Sequence, residues 1–510
     1  MKKIFSYLLI VFSFSTIQSQ EIADALRYAQ DNLTGTARFR AMSGAFGALG
    51  GDLSSIGINP AGSVIFANNQ LGFSLSNYNV KNNSNYFGTN TSDHKGSVDL
   101  NQLGAVFVFK NYDENSGWRK FAVAINYDNT NNLNNSVYSA GYNSDGISHK
   151  ASVANYFVSY ANQSGISLST LQNSYYEDLN NFGAQQAFLG YQGYIINPSS
   201  TYNDFNNRTY VSNVPGGGSY RQENSFYSKG YNGKLVFNAA AQYQNWLSFG
   251  INLNSHFTDY TQETNFYESN NNSTSTGVRN LLFSNKLYTY GSGFSFQAGA
   301  IFKIYKGLRL GLAYDSPTWY RLNDEVTQSL SSNGFGYGTP PNVGLSGANV
   351  NPGVTVVYDP YNLRTPSKYS GSLAYVFGKK GMLNIDLCSK NYSSLKFKPA
   401  NQFTIVNSDM ASLLSSSLEI KIGGEIKVKK WSIRGGYRYE QSPYVDKTTV
   451  GDLKGFSSGL GYNFGHTKLD LAYTHSKRDS QLQFFSQGMI DRAMISNLNN
   501  NLTFSVAFEL

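Results

Sequence analysis

Hydrophobic and polar positions alternate over long stretches of this chain, and the last residues show the pattern without interruption. From Leu502 to Leu510 every second side chain is apolar, and the residues between are Thr503, Ser505, Ala507 and Glu509. A strand places alternate side chains on opposite faces of a sheet. An exposed apolar edge strand of this kind would promote aggregation of a soluble protein, but it can close a membrane barrel that has lipid outside and a polar lumen inside.

Similar alternating segments follow one another from residue 69 to residue 510, and we count fourteen of them. In the segment 431–440, Ile433 and Tyr437 share one face, whereas Arg434 and Arg438 share the other. Six short connections alternate with seven long, Asn- and Ser-rich ones, the longest at about 129–219. Tight periplasmic turns and long extracellular loops are typical of bacterial outer-membrane barrels. The pattern predicts an all-β fold, a 14-stranded antiparallel transmembrane β-barrel over 69–510.

Tryptophan positions agree with a membrane barrel. Trp118, Trp246 and Trp431 each follow a short connection, where an upward strand begins. Aromatic side chains form girdles at the membrane–water boundary. We therefore predict a multi-pass protein of the outer membrane of a Gram-negative bacterium.

The start of the chain predicts export. Lys2 and Lys3 precede a mostly apolar stretch, and small Ser19 precedes Gln20. This is the pattern of a cleaved secretory signal peptide, which we place at 1–19. Mean hydropathy is −0.36, and the sequence after the leader contains no apolar run long enough for a spanning helix.

Residues 20–68 do not alternate. Ile22, Ala25, Leu26 and Ala29 have helical spacing, and a glycine-rich stretch follows them. A barrel of fourteen strands is wide enough to leave a channel unless something fills it. We therefore predict that 20–68 form a small, partly helical plug (a hatch) in the lumen.

The hatch sequence GTARFRAMSGAFGALGGDLSSIGINPAG, with Asn59-Pro60-Ala61 near its end, resembles the FadL/TodX family of outer-membrane transporters for hydrophobic compounds, in its Bacteroidetes-type form. The segment YNLRTPSKYSGSLAYVFGKKG (361–381) resembles the mid-barrel strands of that family. The resemblance implies that a lipophilic ligand binds among the extracellular loops and moves to an apolar pocket in the barrel. It also implies that the ligand leaves after the hatch rearranges, sideways past an inward kink of the third strand.

The leading function is therefore passive uptake of hydrophobic small molecules, with long-chain fatty acids or similar lipophilic compounds as cargo. One alternative is a barrel of the same family that serves as a subunit of a protein-secretion or surface-attachment complex. Another is a haem receptor, for which His94 and His149 are the suggestive residues. The expected partners are the hydrophobic ligand, outer-membrane lipids, the barrel-assembly machinery and, for a secretion subunit, a protein.

Other function classes find little support. The formal charge of +8 is scattered among acids, without the basic stripe and interleaved aromatics of a nucleic-acid protein. Cys388 is the single cysteine, and the five histidines lack metal-ligand spacing. No nucleotide-binding or metalloprotease motif occurs. We predict no nucleic-acid partner, no cofactor, no metal and no enzymatic activity.

Two groups of side chains are candidates for ligand contact. Arg434 and Arg438, on the lumen side, could hold a fatty carboxylate by charge-assisted hydrogen bonds; the alternative is a ladder of cross-strand salt bridges. Phe157, Leu171, Tyr175 and Phe182 in the longest loop could form an extracellular landing surface for a lipid; the alternative is the loop's own core. The hatch motif Asn59-Pro60-Ala61 is expected to lie near the barrel wall.

Overall fold

The computed structural model describes residues 20–113, 115–144, 152–179, 181–272, 277–337 and 345–510. The predicted signal peptide and His149 lie outside the described residues. The helices are α1 Ile22–Ala29, α2 Ala37–Ala41, α3 Ala154–Ser164, α4 Leu168–Asn173, α5 Phe182–Gln192 and α6 Thr404–Leu413, with short 3-10 helices at Ser54–Gly57, Pro60–Ile65, Tyr176–Asp178 and Tyr392–Ser394. In the part of the chain described, no helix is long and apolar enough to cross a membrane.

The strands account for most of the chain. In order they are β1 Gln70–Tyr86, β2 Thr89–Lys110, β3 Trp118–Asn132, β4 Asn135–Asn143, β5 Ile196–Pro198, β6 Tyr210–Ser212, β7 Tyr220–Tyr243, β8 Leu247–Asn270, β9 Gly277–Tyr305, β10 Leu308–Asp315, β11 Trp319–Tyr337, β12 Leu345–Val350, β13 Val356–Val357, β14 Tyr361–Arg364, β15 Lys368–Val376, β16 Gly381–Asn391, β17 Lys396–Lys398, β18 Ser416–Val428, β19 Trp431–Glu440, β20 Val450–Asn463, β21 Thr467–Gln483 and β22 Arg492–Glu509.

Twenty of these segments form one antiparallel sheet that closes on itself, because β22 pairs with β1 from Gln70↔Glu509 upward. Some crossings of the wall consist of two or more consecutive segments, as β3 with β4 and β10 with β11. The twenty segments therefore make fourteen crossings, and the sheet is a fourteen-stranded barrel. The predicted fold class is confirmed. The six short connections all lie at the end where β1 begins and β22 ends, which is the periplasmic end of such a barrel.

The wall is interrupted at one height in its seventh and eighth crossings. Pro317 separates β10 from β11, and Pro366 separates β14 from β15. Proline cannot donate a ladder hydrogen bond, so each strand is interrupted there. Beside the prolines, the Thr318 amide donates to Thr365 Oγ1 at 2.8 Å, and the Thr365 amide donates to the Thr318 carbonyl at 3.0 Å. Those two hydrogen bonds join the interrupted strands.

The third strand is paired on both sides in its lower part and leaves its neighbour β2 in its upper part. β3 pairs with β2 continuously from Lys110↔Lys120 to Gln102↔Asp128. On its other side it pairs with β7, and the register shifts only near Trp118 and near Asn129. Between residues 120 and 128 the strand is therefore paired on both sides. Above Asp128 its pairing with β2 ends, and β4, which continues the crossing, pairs with β7 but with no β2 residue among those described. The side chain of Ser139 on β4 is hydrogen-bonded to Ser84, a buried residue of the lumen face of β1, so the third strand bends inward at this height.

Some predicted loops are in fact strands. The Asn- and Ser-rich residues 81–96 have the composition of one of the seven long connections, but β1 runs to Tyr86 and β2 begins at Thr89. The two residues between, Phe87 and Gly88, both have positive φ, as a tight hairpin turn requires. The predicted loop 129–219 likewise contains the end of β3, β4 and three helices. Above the membrane both faces of a strand are polar, so its alternation disappears from the sequence although its pairing continues.

Two apolar clusters lie above the membrane-spanning wall. The larger combines the longest loop with the upper strands and includes Phe157, Leu168 and Phe283. The other surrounds α1 with Tyr320, Phe397 and further side chains of the upper wall and α6. The first cluster forms a lid over the barrel, and the second anchors the start of the hatch beneath it.

The outward face is apolar as predicted, which allows a direct test of which residues of a strand face the lipid and which face the lumen. Ile433 is 52% exposed on the lipid face of β19, whereas its neighbour Ser432 belongs to the lumen face. Ile433→Arg is expected to cost about 1–2 kcal/mol, because a charge on the lipid face loses its hydration. The cost stays below the mid-membrane value because Trp431, two residues away, lies at the membrane boundary. Ser432→Arg should cost much less. Unfolding of both variants in micelles, followed by heat-modifiable migration, measures the difference; equal losses would contradict the parity.

Candidate functional site

The hatch occupies the lumen as one continuous segment between Gln20 and the start of β1. α2 lies against β19, β20, β21 and β22, whereas the 3-10 helix Pro60–Ile65 lies against β7, β8 and β9. The hatch therefore spans the barrel from one wall to the other. Its apolar side chains, among them Phe46, Leu53 and Ile56, are buried.

Asn59 connects the hatch both to itself and to the wall. Its side-chain oxygen accepts a hydrogen bond from the Ala61 amide at 3.1 Å and so caps the 3-10 helix that Pro60 begins. Its side-chain nitrogen donates to the Gly47 carbonyl at 2.8 Å and to the Ala300 carbonyl of β9 at 3.1 Å. The motif thus lies against the barrel wall, as the sequence predicted.

Three glycines of the wall let its backbone approach this part of the hatch closely. A Cβ on Gly299 would lie 2.2 Å from Asn59 Oδ1, and a Cβ on Gly250 would lie 2.6 Å from the Pro60 carbonyl oxygen. A Cβ on Gly311 would lie 2.2 Å from the Gly47 carbonyl oxygen. Close backbone approach is a recurrent use of glycine in strands. Sequence reasoning missed these three residues.

Side-chain amides of the wall bind carbonyls of the hatch. Asn238 donates to the Pro60 carbonyl at 3.0 Å, Asn252 to the Ile56 carbonyl at 2.8 Å, and Gln297 to the Gly57 carbonyl at 3.0 Å. All three amides are buried and stand on adjacent strands. They satisfy hatch carbonyls that would otherwise be buried without partners.

Charged groups hold the hatch at the opposite wall. The Asp386 carboxylate accepts the Phe46 amide at 2.9 Å and the Gly47 amide at 3.1 Å. Arg38 forms a salt bridge of 3.1 Å with Glu425. Arg40 is fully buried and donates to hydroxyl groups of the wall, Ser76 at 2.9 Å among them. The hatch is thus fixed by reversible polar contacts around its circumference.

Burial changes the acid–base behaviour of the hatch. It raises the pKa of the Asp52 carboxyl, although the positive charge of Arg38 and hydrogen bonds from Thr36 and Ser54 oppose the shift. It lowers the pKa of the Arg40 guanidinium, an effect that the Tyr78 side chain partly reverses. Both shifts follow from the cost of a charge in a poorly solvated site.

Replacing a wall glycine should displace the hatch without harming the barrel. We expect Gly299→Val to force Asn59 away from the wall, at a cost of about 1–3 kcal/mol to hatch seating, as for other overpacked sites. The matched control is Gly371→Val, because a Cβ there meets nothing within 4 Å. Single-channel conductance in planar bilayers measures the outcome. Frequent opening of the Gly299 variant alone is expected, and two variants that both stay closed would contradict the close approach.

The candidate head-group ligands Arg434 and Arg438 already have carboxylate partners. Arg434 forms salt bridges of 2.6 Å with Glu425 and with Asp470. Arg438 forms them with Glu419 at 2.6 Å and Glu440 at 2.9 Å. Both guanidinium groups are buried. The structure therefore supports the alternative, a ladder of cross-strand salt bridges, and offers neither arginine to a ligand in this conformation.

The predicted landing surface is mostly buried. Phe157, Leu171 and Phe182 lie in the core of the lid, and the Phe157 ring is in edge contact with that of Phe283 at 5.3 Å. Tyr175 alone of the four is exposed, at 72%. The structure thus supports the loop-core alternative for three of these residues, because strands β9 and β11 supply apolar partners that the loop sequence does not reveal.

A cavity of about 160 Å³ remains between the hatch and the wall. Residues 30–35 of the hatch form one side, and the upper lumen forms the other. Its lining is rich in charged and polar side chains: Asp31, Asp128, Lys234, His256, Asp315, Lys368, Lys390, Glu419, Lys421, Arg438 and Glu440. Three of the lysines are paired, Lys368 with Asp315, Lys390 with Asp31 and Lys421 with Glu419. The apolar pocket implied by the resemblance is thus not this cavity.

The described residues contain no group of three potential metal-ligating His, Cys, Asp or Glu side chains. His94 is exposed on the upper part of β2, and Cys388 is buried in the wall.

A closed barrel whose lumen holds helical N-terminal segments defines a class of outer-membrane proteins. Residues 200–506 match the family model described as "Outer membrane protein transport protein (OMPP1/FadL/TodX)". The match covers more than half of the chain, so the protein belongs to this family. It is accordingly an outer-membrane β-barrel of a Gram-negative bacterium and a channel for hydrophobic compounds, not an enzyme.

Solved structures show the same fold. A crystal structure of a FadL homologue from Pseudomonas aeruginosa aligns over 94% of this chain and 99% of its own, with a TM-score of 0.53 and 13% identity. A deltaS2 mutant of the TodX monoaromatic hydrocarbon channel aligns over 94% and 100%, with a TM-score of 0.51 and 14% identity. Likeness at these identities concerns the fold alone. No curated protein matches the sequence.

Proposed function

We propose that this protein mediates passive uptake of hydrophobic small molecules across the outer membrane, with long-chain fatty acids or similar lipophilic compounds as cargo. The observation that carries the proposal is the hatch, which fills the lumen but is held by hydrogen bonds and salt bridges that can exchange. A channel closed in this way passes cargo only when the hatch rearranges. Cargo binding can drive that rearrangement if the open state binds it more tightly.

The energy available from a long acyl chain supports this cargo class. Burying each methylene contributes about 0.8 kcal/mol, so a long chain supplies ample affinity to displace part of the hatch. The lumen cavity of about 160 Å³ is too small for such a chain unless residues 30–35 move. Uptake of a fatty acid therefore requires hatch motion, and we place that motion at the segment between α1 and α2.

Compact aromatic compounds are a second candidate cargo. One structural neighbour is a monoaromatic hydrocarbon channel. Its cargo differs from a fatty acid in lacking a carboxylate, so the two classes separate in an uptake assay.

Two narrower assignments belong to the same proposal. We assign the chain to the Bacteroidetes-type form of the family on the glycine-rich stretch before Asn59. We expect outer-membrane lipids around the barrel and the barrel-assembly machinery during insertion. Two alternatives are a protein partner, as in a secretion or surface-attachment complex, and haem binding. Absence of uptake in the following experiment would favour them.

Asn59→Ala combined with Pro60→Ala tests the role of the hatch motif. We expect uptake of labelled oleate by a transporter-deficient host to fall, because a hatch without the Asn59 contact opens whether or not cargo is bound. A coupling of about 1 kcal/mol, the contribution of one hydrogen bond, corresponds to a fall of about fivefold. The matched control is Asn351→Ala with Pro352→Ala, because this Asn-Pro pair lies in an extracellular connection, where Asn351 accepts a hydrogen bond from the Gly353 amide at 3.1 Å. Equal uptake by the two variants, at equal surface levels, would contradict a transport role for the motif.

A further inference from the structure

The periplasmic mouth of the barrel carries cations that face each other across the strand ladder. On the lumen side, Lys110 of β2 stands directly opposite Lys120 of β3. Arg309 of β10 stands directly opposite Lys303 of β9. Like charges directly opposite each other on paired strands are destabilising. Two such pairs at the same end of one barrel call for a compensating anion.

None of the described residues provides that anion as an ion-pair partner. Among the residues that the structure describes, Lys110, Lys120, Lys303, Lys306 and Arg309 form no salt bridge. Lys120 and Arg309 donate only to hatch carbonyls, those of Phe66 and Leu49. The lumen cations higher in the barrel, by contrast, include several with carboxylate partners. This side of the mouth is thus an electropositive region, whereas across the mouth Lys468 is paired with Glu509.

A groove with a volume of about 660 Å³ lies at the end of the β9–β10 hairpin, beside that region. Lys303, Lys306 and Arg309 line it, and its lining contains no carboxylate. Tyr375 and Phe377 form its apolar edge, with ring centroids 4.7 Å apart and both rings exposed. Three cations beside aromatic side chains at a membrane boundary fit an anionic head group whose tail remains in the apolar phase.

We propose that this groove binds the oxyanion head group of an amphiphile, a phosphate or a carboxylate, at the periplasmic face of the outer membrane. The cations hold the oxygens by charge-assisted hydrogen bonds, and Tyr375 and Phe377 contact the adjoining part of the tail. Two sources carry this chemistry: an anionic phospholipid of the surrounding leaflet, and an ionised fatty acid. The site does not depend on which compound the channel transports.

The test compares two double variants of the full-length protein in neutral detergent. Lys303→Gln with Lys306→Gln removes two groove cations and leaves the hatch contact of Arg309 intact. Lys379→Gln with Lys380→Gln removes two cations from the next periplasmic turn, which do not line the groove. Native mass spectrometry measures retention of phosphatidylglycerol, phosphatidylcholine, oleate and inorganic phosphate, each added separately.

We expect the wild type to bind phosphatidylglycerol more tightly than phosphatidylcholine. The groove variant should lose about 25-fold in affinity, because each lysine near a membrane surface contributes about fivefold. The control variant should change by less than about twofold. A loss in the groove variant that is restricted to phosphatidylglycerol identifies a membrane lipid as the source. A parallel loss of oleate binding identifies a fatty acid carboxylate as well. Binding of inorganic phosphate but of neither amphiphile would overturn the amphiphile site.

Equal phosphatidylglycerol binding by the groove variant and the wild type would overturn the proposal, as would an equal loss in the control variant. A salt titration of the wild type gives an independent check that needs no folded variant. Binding that weakens steeply as sodium chloride rises supports an electrostatic head-group site. Binding that is independent of salt contradicts it.

Discussion

Deleting residues 21–60 is expected to leave a folded barrel that conducts small ions at least about tenfold better than the intact protein, since a barrel of this width leaves a channel when nothing fills it. The wall closes through the pairing of β22 with β1, in which no hatch residue takes part. Wall groups that now bind the hatch, such as Asn252 and Asp386, would bind water instead, as lumen-facing polar residues of open barrels do.

Planar-bilayer conductance of the deletion variant beside the wild type is the measurement. Heat-modifiable migration on a gel shows that the barrel has folded. The Gly371→Val variant serves as a reference for a change in the wall that leaves the hatch in place. A folded deletion variant with wild-type conductance would show that the hatch does not plug the barrel.

Arg434→Met is expected to destabilise the barrel by about 3–5 kcal/mol, because it removes one partner from a buried charge network. Asp470, whose side chain is 11% exposed, would lose its salt bridge, and Glu425, whose side chain is fully buried, would keep Arg38 and Lys427. The matched control is Lys477→Met on the neighbouring β21. Its pair with Asp479 is more than half exposed on both sides, so the loss should stay below about 1 kcal/mol.

Denaturant unfolding in micelles measures both losses and also distinguishes the two interpretations of Arg434. A structural arginine lowers stability, and uptake falls only with the amount of folded protein. An arginine that contacts a ligand head group lowers uptake per folded molecule while stability is kept. The second outcome would contradict the salt-bridge ladder.

The faces of individual strands were predictable because alternation is a local property. Ile433 and Arg434 are neighbours in sequence, and period 2 alone assigns one to lipid and the other to the lumen. The partners of Arg434 were not predictable in the same way. Glu425 and Asp470 come from two other strands, and which carboxylates meet the guanidinium depends on the register between strands.

The contact between hatch and wall was also predictable only in part. Asn59 could be placed near the wall because a compact, glycine-rich segment inside a barrel has nowhere else to pack. Gly250, Gly299 and Gly311 carried a weaker signal, since a strand glycine also marks bulges and bends. Their common lumen parity on three adjacent strands becomes visible only once the strands are aligned.

Burial in the lid was the least predictable feature. The spacing of Phe157 and Phe182 showed helices with an apolar face but not what covers that face. Phe283 on β9 and Phe485 beyond β21 pack against it, and both follow these helices by about ninety residues or more. Contacts of that sequence separation depend on closure of the whole barrel.

The measurement that tests the central claim most directly is uptake by the wild-type protein in a host that lacks its own channels for hydrophobic compounds. Labelled oleate and labelled toluene are offered separately to cells with and without the protein at the outer membrane. A plugged channel for hydrophobic compounds predicts faster uptake of at least one of them, and slower uptake in the Asn59/Pro60 variant. No uptake of either compound by a folded, surface-located protein, together with a stably co-purifying protein partner, would contradict the account.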